Sequence, residues 1–506
     1  MIFIRKLPHI AIVVSQLLLF GCSLTPGPEG TAAESEAAGA QQPLQQCQAQ
    51  LAQLQRSIQR HGVGDAQYHP VSGFPTYRSN RFWSSFQAAE LTTEQQTEWR
   101  RTLHQLGMSS LALEWRNLPR ETPSSQMAFT EFETDCDRVL FESSLQKPLT
   151  EQALQVPDSY NDVLRFFGFY ALIKQAAAGS IAEYQQEMQA RILAPVDDTR
   201  PANIYAAPEP ASIPVRQWLA RAYEANALHV PQLPAEQIQQ VLEYFAPRYR
   251  IEVETSADLP GAATWSGDHG GLSRHIDPGQ PTLYTYPSYV RYGSDILLQL
   301  NYTLWFSERP KPTTDDWYGG KLDGLVWRVT LLPDGKVLMY DSIHPCGCYH
   351  SVHVPADSPL AATIDGLDQS HSLEPILFFV NPLPATEPAV ELTLEAGTHY
   401  LTRVSHWNGQ PQEQSRLYQL VDYEELRSLP VPGDGPRHRS WFDPHGRIDA
   451  SARRERFFLW PLGVESAGAM RQQGHHAVAF VGKRHFDEPR LERLLNLPVP
   501  DQTTAD

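Results

Sequence analysis

Basic residues are in short supply: 41 Lys and Arg stand against 58 Asp and Glu, leaving a formal charge of −17 over 506 residues. A surface of that balance repels polyanions, so neither a nucleic-acid partner nor an anionic-membrane binding face is expected. Beyond the N-terminus the chain also lacks long apolar runs. The most apolar later stretch, Phe166 to Ile173, has eight residues between Arg165 and Lys174. A bilayer crossing takes about 20, so this stretch reads as a core helix. No Gly-Lys-Ser/Thr phosphate loop, His-Glu-x-x-His helix or Gly-x-Ser-x-Gly elbow occurs. Nucleotide hydrolysis, the commonest zinc peptidase chemistry and esterases of that type therefore lack support. Internal repeats are missing too, and the length leaves room for roughly two or three ordinary domains.

What is present starts at the N-terminus. Arg5 and Lys6 precede an apolar stretch from Ile10 to Phe20, which ends in Leu19-Phe20-Gly21-Cys22. Too short and too sharply ended to span a bilayer, residues 1–21 read as a cleaved secretory signal. The last four residues resemble the lipobox of bacterial lipoprotein precursors, in which a Leu three before the Cys and a small residue just before it admit the lipoprotein signal peptidase. Phe20 departs from the smaller residue that family prefers. The resemblance covers the signal segment alone. It implies lipidation of Cys22 and, because Ser23 and not Asp follows, sorting to the outer membrane with the body facing the periplasm. Acyl chains would make the membrane a partner, each buried methylene adding about 0.8 kcal/mol. Loss of Arg5 and Lys6 with the signal takes the charge from −17 to −19.

Residues 22–43 are Pro, Gly, Ala, Glu, Ser and Gln with almost nothing to bury, the composition of a flexible tether. Leu44, Cys47, Leu51, Leu54 and Ile58 then recur at coiled-coil spacing, predicting an amphipathic helix over 44–62. Its seam through residue 58 either docks on its own domain or serves self-association or an envelope protein, with Cys47 placed to cross-link two copies. Residues 63–246 read as helical, with helices at Thr93 to Leu118 (interrupted near Gly107), Asn161 to Leu193 and Ala235 to Phe245.

After Pro247 the period changes to two, and 247–506 reads as a β-rich domain. Strands are expected at Ile296 to Phe306, Leu325 to Leu332, Val337 to Ile343, Ile376 to Val380, Tyr400 to Val404, Phe457 to Trp460 and Ala477 to Val481. Pro333-Asp334-Gly335 marks a hairpin turn. The expected class is α+β, with a mostly helical N-terminal half and a mainly antiparallel β C-terminal half.

Reactive side chains are densest from Asp341 to His350. His344, Cys346, Cys348 and His350 share one parity, so a strand or tight loop could gather them around zinc or copper. The alternative is a structural loop with a cysteine bonded to Cys136 or to its near neighbour. With Cys47, Cys136, Cys346 and Cys348 in an oxidising compartment, three pairings are open. Asp341 with Glu308, or Asp323 nearby, could divide acid and base roles in hydrolysis. Asp268 and His269 with His275 and Asp277 form a second polar cluster, in which His275-Ile276-Asp277 has the spacing of two legs of a facial iron triad and His344 or His350 could supply the third. Trp317 and Tyr318 could line a groove for a sugar ring or a peptide. The run Arg453-Arg454-Glu455-Arg456 reads as a solvated edge. Two functions follow: an outer-membrane-anchored factor for envelope binding or assembly, or a metal-dependent envelope hydrolase or oxidoreductase. An enzyme should place histidines and carboxylates in one concave pocket, whereas an assembly factor should expose a contiguous apolar patch.

Overall fold

The structure, a computed structural model, describes residues 31–122, 128–194, 199–208, 212–268, 271–385, 389–407, 415–433 and 437–498. Cys22 and His269 lie outside the described residues. The molecule is α+β, with most helices in the N-terminal half and antiparallel-rich sheets in the C-terminal half.

Helix α1 (Thr31–His61) begins inside the segment expected to be a tether. Its seam is used within the chain: Cys47, Leu51, Leu54 and Ile58 are buried against helices α2 (Thr93–Arg116) and α3 (Phe129–Ser144). Cys47 is bonded to Cys136 on α3, not to a second copy and not to the Asp341–His350 loop. Such a bond, joining residues 89 apart in sequence, stabilises by about 4.6 kcal/mol in the chain-entropy picture. Cys346 and Cys348 are both free thiols.

Helix α2 starts at a capping box formed by Thr92 and Gln95 and runs unbroken through Gly107. The glycine serves the neighbouring hairpin of strands β1 (His69–Val71) and β2 (Phe74–Ser79). A Cβ at Gly107 would lie 1.9 Å from the Thr76 carbonyl oxygen, so only glycine lets β2 pass.

Helices α4 (Asp162–Phe167) and α5 (Tyr170–Leu193) follow, broken at Gly168-Phe169. Strand β3 (Ala202–Ala206) then interrupts the helical region ahead of α6 (Val215–Ala225) and α7 (Ala235–Tyr244). Strand β4 (Arg248–Glu252) pairs with β3, and β5 (Ala262–Asp268) with β6 (Gly271–Asp277).

The main sheet is built on β7 (Thr282–Tyr292), β8 (Asp295–Arg309), β9 (Gly320–Leu331), β10 (Val337–Ile343), β11 (Ser351–Pro355) and β12 (Leu377–Asn381). Helix α8 (Pro359–Asp365) lies between the last two in sequence. A smaller sheet takes β13 (Val390–Leu394), β14 (Leu401–His406) and β15 (Arg416–Leu417) beside β3 and β4. Strand β16 (Gln419–Asp422) closes the seven-stranded order β12-β11-β10-β9-β8-β7-β16, antiparallel except at its two edges. A short hairpin, β17 (Leu429–Val431) and β18 (Arg437–Arg439), precedes helices α9 (Arg456–Leu459) and α10 (Leu491–Leu494).

Both faces of the main sheet are covered. On one, Leu300, Tyr302, Trp327 and Val329 meet Tyr249 and Ile251 of β4, Leu392 of β13 and Leu242 of α7. On the other, Val326, Met339 and Val354 meet Leu360 of α8 and Leu494 of α10. Strands buried on both faces read as unbroken apolar runs, which is how β8 to β10 stood out in the sequence.

Three local expectations fail. Phe457 to Trp460 is helix α9 running into a 3₁₀ turn. Ala477 to Val481 forms no strand beyond one bridge from Ala477 to His485. Phe166 to Ile173 is not core: Phe166 is 78% exposed, Phe167 67%, Phe169 71% and Leu172 74%.

Candidate functional site

Strand β10 sets Asp341 directly opposite Arg328 on β9. The guanidinium grips it with two charge-assisted bonds, Nε to Oδ1 at 2.8 Å and Nη2 to Oδ2 at 2.5 Å. Arg328 also donates to the Phe486 carbonyl at 2.6 Å. After Ile343 the chain turns: Gly347 donates to the His344 carbonyl, and His344 to the Cys348 carbonyl. Gly347 sits at φ +93°, with the Ala477 oxygen 2.4 Å from where a Cβ would stand. That tight turn brings His350 back beneath β10, 3.3 Å from Asp341 Oδ2.

The carboxylate only accepts, so His350 Nε2–H donates and Nδ1 keeps its lone pair. Burial pushes the His350 imidazole below its ordinary value, with Asp341 opposing, so it is neutral near pH 7. Burial pushes the Asp341 carboxyl up, but Arg328 and His350 outweigh it and hold it ionised.

A second network lies behind this turn. His399 donates from Nδ1 to Asp323 Oδ2 at 2.9 Å and holds Nε2 3.3 Å from Asp258 Oδ1. His344 Nδ1 lies 3.3 Å from Asp323 Oδ1, while its buried Nε2 has no hydrogen-bond partner among the described residues. Burial opposes the charge on His399, yet the two carboxylates raise its value above the ordinary one. Phe306 stacks on its ring at 3.9 Å.

The two histidines of the metal reading, His344 and His350, point to different partners, each claimed by its own carboxylate. A hydrogen bond with the Cys346 thiol, and then burial, hold the Cys348 thiol well above its ordinary value. Among the described residues no group of three or more His, Cys, Asp or Glu is arranged to hold an ion. Glu308 does not meet Asp341 either, because it is exposed at the end of β8 beside Lys321 while Asp341 is fully buried.

A groove of about 650 Å³ lies beneath α5 and collects the groups that remain. Cys348, Tyr349 and His350 form part of one wall, with Tyr400 ahead of β14, Tyr184 of α5 and Glu455. Tyr349 and Tyr400 meet edge to face at 4.7 Å, and Arg309 reaches both hydroxyls, at 3.4 and 3.1 Å. Tyr184 leans on Tyr349 at 5.3 Å. Tyr318 lines the mouth, and Trp317 packs on Phe458 at 5.6 Å outside it. His344 and Cys346 stay behind the wall. Compared with known proteins, the chain matches no family model, curated protein or solved structure.

The group that local reasoning missed is Glu455. The run from Arg453 to Arg456 is only half solvated: Arg453 is buried, donating to the carbonyls of Lys321 and Leu322, and Glu455 is buried with it. Burial pushes the Glu455 carboxyl up to about 7 despite the opposing charges of Arg453 and Arg309. A larger cleft of about 1250 Å³ lies between the helical layer and the β body, but its Arg78 and Glu114 pair at 2.6 Å and its Asp65 is held by Arg427.

Proposed function

We propose that the chain is an outer-membrane-anchored envelope binding factor, held by lipid on Cys22, whose body takes an amphiphilic ligand into the groove beneath α5. One observation carries this reading: the groove gathers Tyr184, Tyr349, Tyr400, His350 and Glu455 with apolar side chains, among them the exposed Phe458 and Ile173. Apolar wall and convergent polar groups in one concavity are the usual make-up of a small-molecule site. Titration of the intact chain with monomeric lysophosphatidylglycerol, followed calorimetrically, tests it. Ala177 lines the groove from α5, so Ala177→Trp should fill the space and weaken binding roughly tenfold or more at an unchanged melting temperature. Equal affinity in the two chains would sink the reading.

Glu455 and His350 on the same groove favour a second reading, hydrolysis by proton transfer without a metal. Mass spectrometry of the lysolipid after incubation separates the two. Intact recovery supports binding, and a cleaved acyl chain absent in Glu455→Gln supports catalysis.

A further inference from the structure

Helix α4 is built inside out. Its one charged side chain on the protein side, Arg165, is buried, donating to the carbonyls of Leu462 at 2.9 Å and Gly482 at 2.6 Å and stacking on Tyr160 and Tyr170. Val163, Phe166 and Phe167 face water. The turn that follows continues the inversion. Gly168 is pressed against Pro461, where a Cβ would lie 2.5 Å away, and Phe169 takes a left-handed backbone at φ 51°. A non-glycine residue held there costs on the order of 1 kcal/mol or more, here spent on pointing a phenyl ring outward.

The 3₁₀ turn after α9 contacts α4 and α5, and α9 and this turn add their own rings. The resulting patch has Phe166, Phe167, Phe169, Leu172, Phe457 and Trp460 exposed together. Apolar area of this kind on a water-facing surface marks a contact site. The charges that fringe it are basic although the chain as a whole is strongly acidic. Arg456 lies 4.9 Å over the Phe457 ring and Lys174 5.9 Å over Tyr170, while Asp162 is occupied by Lys483 at 2.9 Å.

We infer that this patch is a second membrane contact, independent of the N-terminal lipid: the rings of α4, α5 and α9 enter the interfacial layer of a phospholipid bilayer, and Arg456 and Lys174 meet its anionic phosphates. The inference does not rest on the groove having a ligand. It orients the groove, whose mouth shares Phe458 with the patch, toward the lipid.

The test uses the intact chain and vesicles of brominated phosphatidylcholine with a minority of phosphatidylglycerol, read by quenching of tryptophan fluorescence. Trp317 and Trp460 are the exposed reporters at the patch. Vesicles should quench the wild type, and the quenched component should vanish in Trp317→Phe/Trp460→Phe. Phe166→Ser/Phe167→Ser should need at least roughly tenfold more lipid, with no loss of melting temperature because both rings are exposed. Absence of quenching, or quenching untouched by the serine substitutions as when only the N-terminus holds the chain, overturns the inference. So does a dimer in sedimentation that the serine substitutions dissolve while vesicles leave the tryptophans unquenched, which would give the patch to a second copy.

Discussion

Glu455 shows what a single residue gains from its surroundings. Among Arg453, Arg454 and Arg456 it reads as one charge in a solvated run, yet it is 6% exposed and its carboxyl titrates near 7. Against the ordinary value of 4.5, the folded chain keeps a proton that the unfolded chain has lost. Stability is therefore fully present below pH 4.5 and falls as pH rises through 7, by about 3 kcal/mol at most. Glu455→Gln should leave the melting temperature unchanged near pH 4 and raise it at pH 8. A shift of equal size at both pH values would show that Glu455 ionises as an ordinary carboxylate. His399 is equally invisible in sequence, since the carboxylates that charge it come from β9 and from the turn before β5. Its parity and spacing carry no trace of them.

At the scale of elements the sequence was most legible where periodicity is set by burial. Both ends of β10 fall where the alternation put them, and α2 and α7 begin at the expected Thr93 and Ala235. It misled where a residue serves a neighbour. Gly107 reads as a helix break because glycine weakens helices, whereas it is the contact point between α2 and β2. Gly107→Ala should cost about 3 kcal/mol in denaturant unfolding, since neither backbone can move without losing its own hydrogen bonds. A loss below about 1 kcal/mol would mean the two elements separate easily. The stretch from Phe166 to Ile173 failed for a different reason: apolarity says that a segment gains by leaving water, not which surface receives it.

For the molecule as a whole, the helical layer and the β body are joined by a buried cation. Arg427 is fully buried, grips Asp65 at 2.8 and 3.1 Å, and donates to Ser110 of α2 at 2.8 Å, while Asn117 donates to its carbonyl. It also pairs with Glu424 at 2.5 Å. Arg427→Ala would leave two carboxylates without their cation at the seam, a loss of about 3–5 kcal/mol. Calorimetry should then show the helical layer melting ahead of the β body, where the wild type melts in one step. A uniform shift of a single transition would place the coupling elsewhere.

The sequence by itself determined the class, the weighting of helices and strands between the two halves, the strands buried on both faces and the acidic charge, because these depend on local period and composition. It also placed three groove residues, Cys348, Tyr349 and His350, in the densest reactive run. Only the tertiary structure decided that His344 and His350 answer to different carboxylates, that Cys47 pairs with Cys136, and that Glu455 faces the groove beneath α5. Those outcomes depend on which distant segments share a surface, and burial, pairing and proton affinity are properties of that surface.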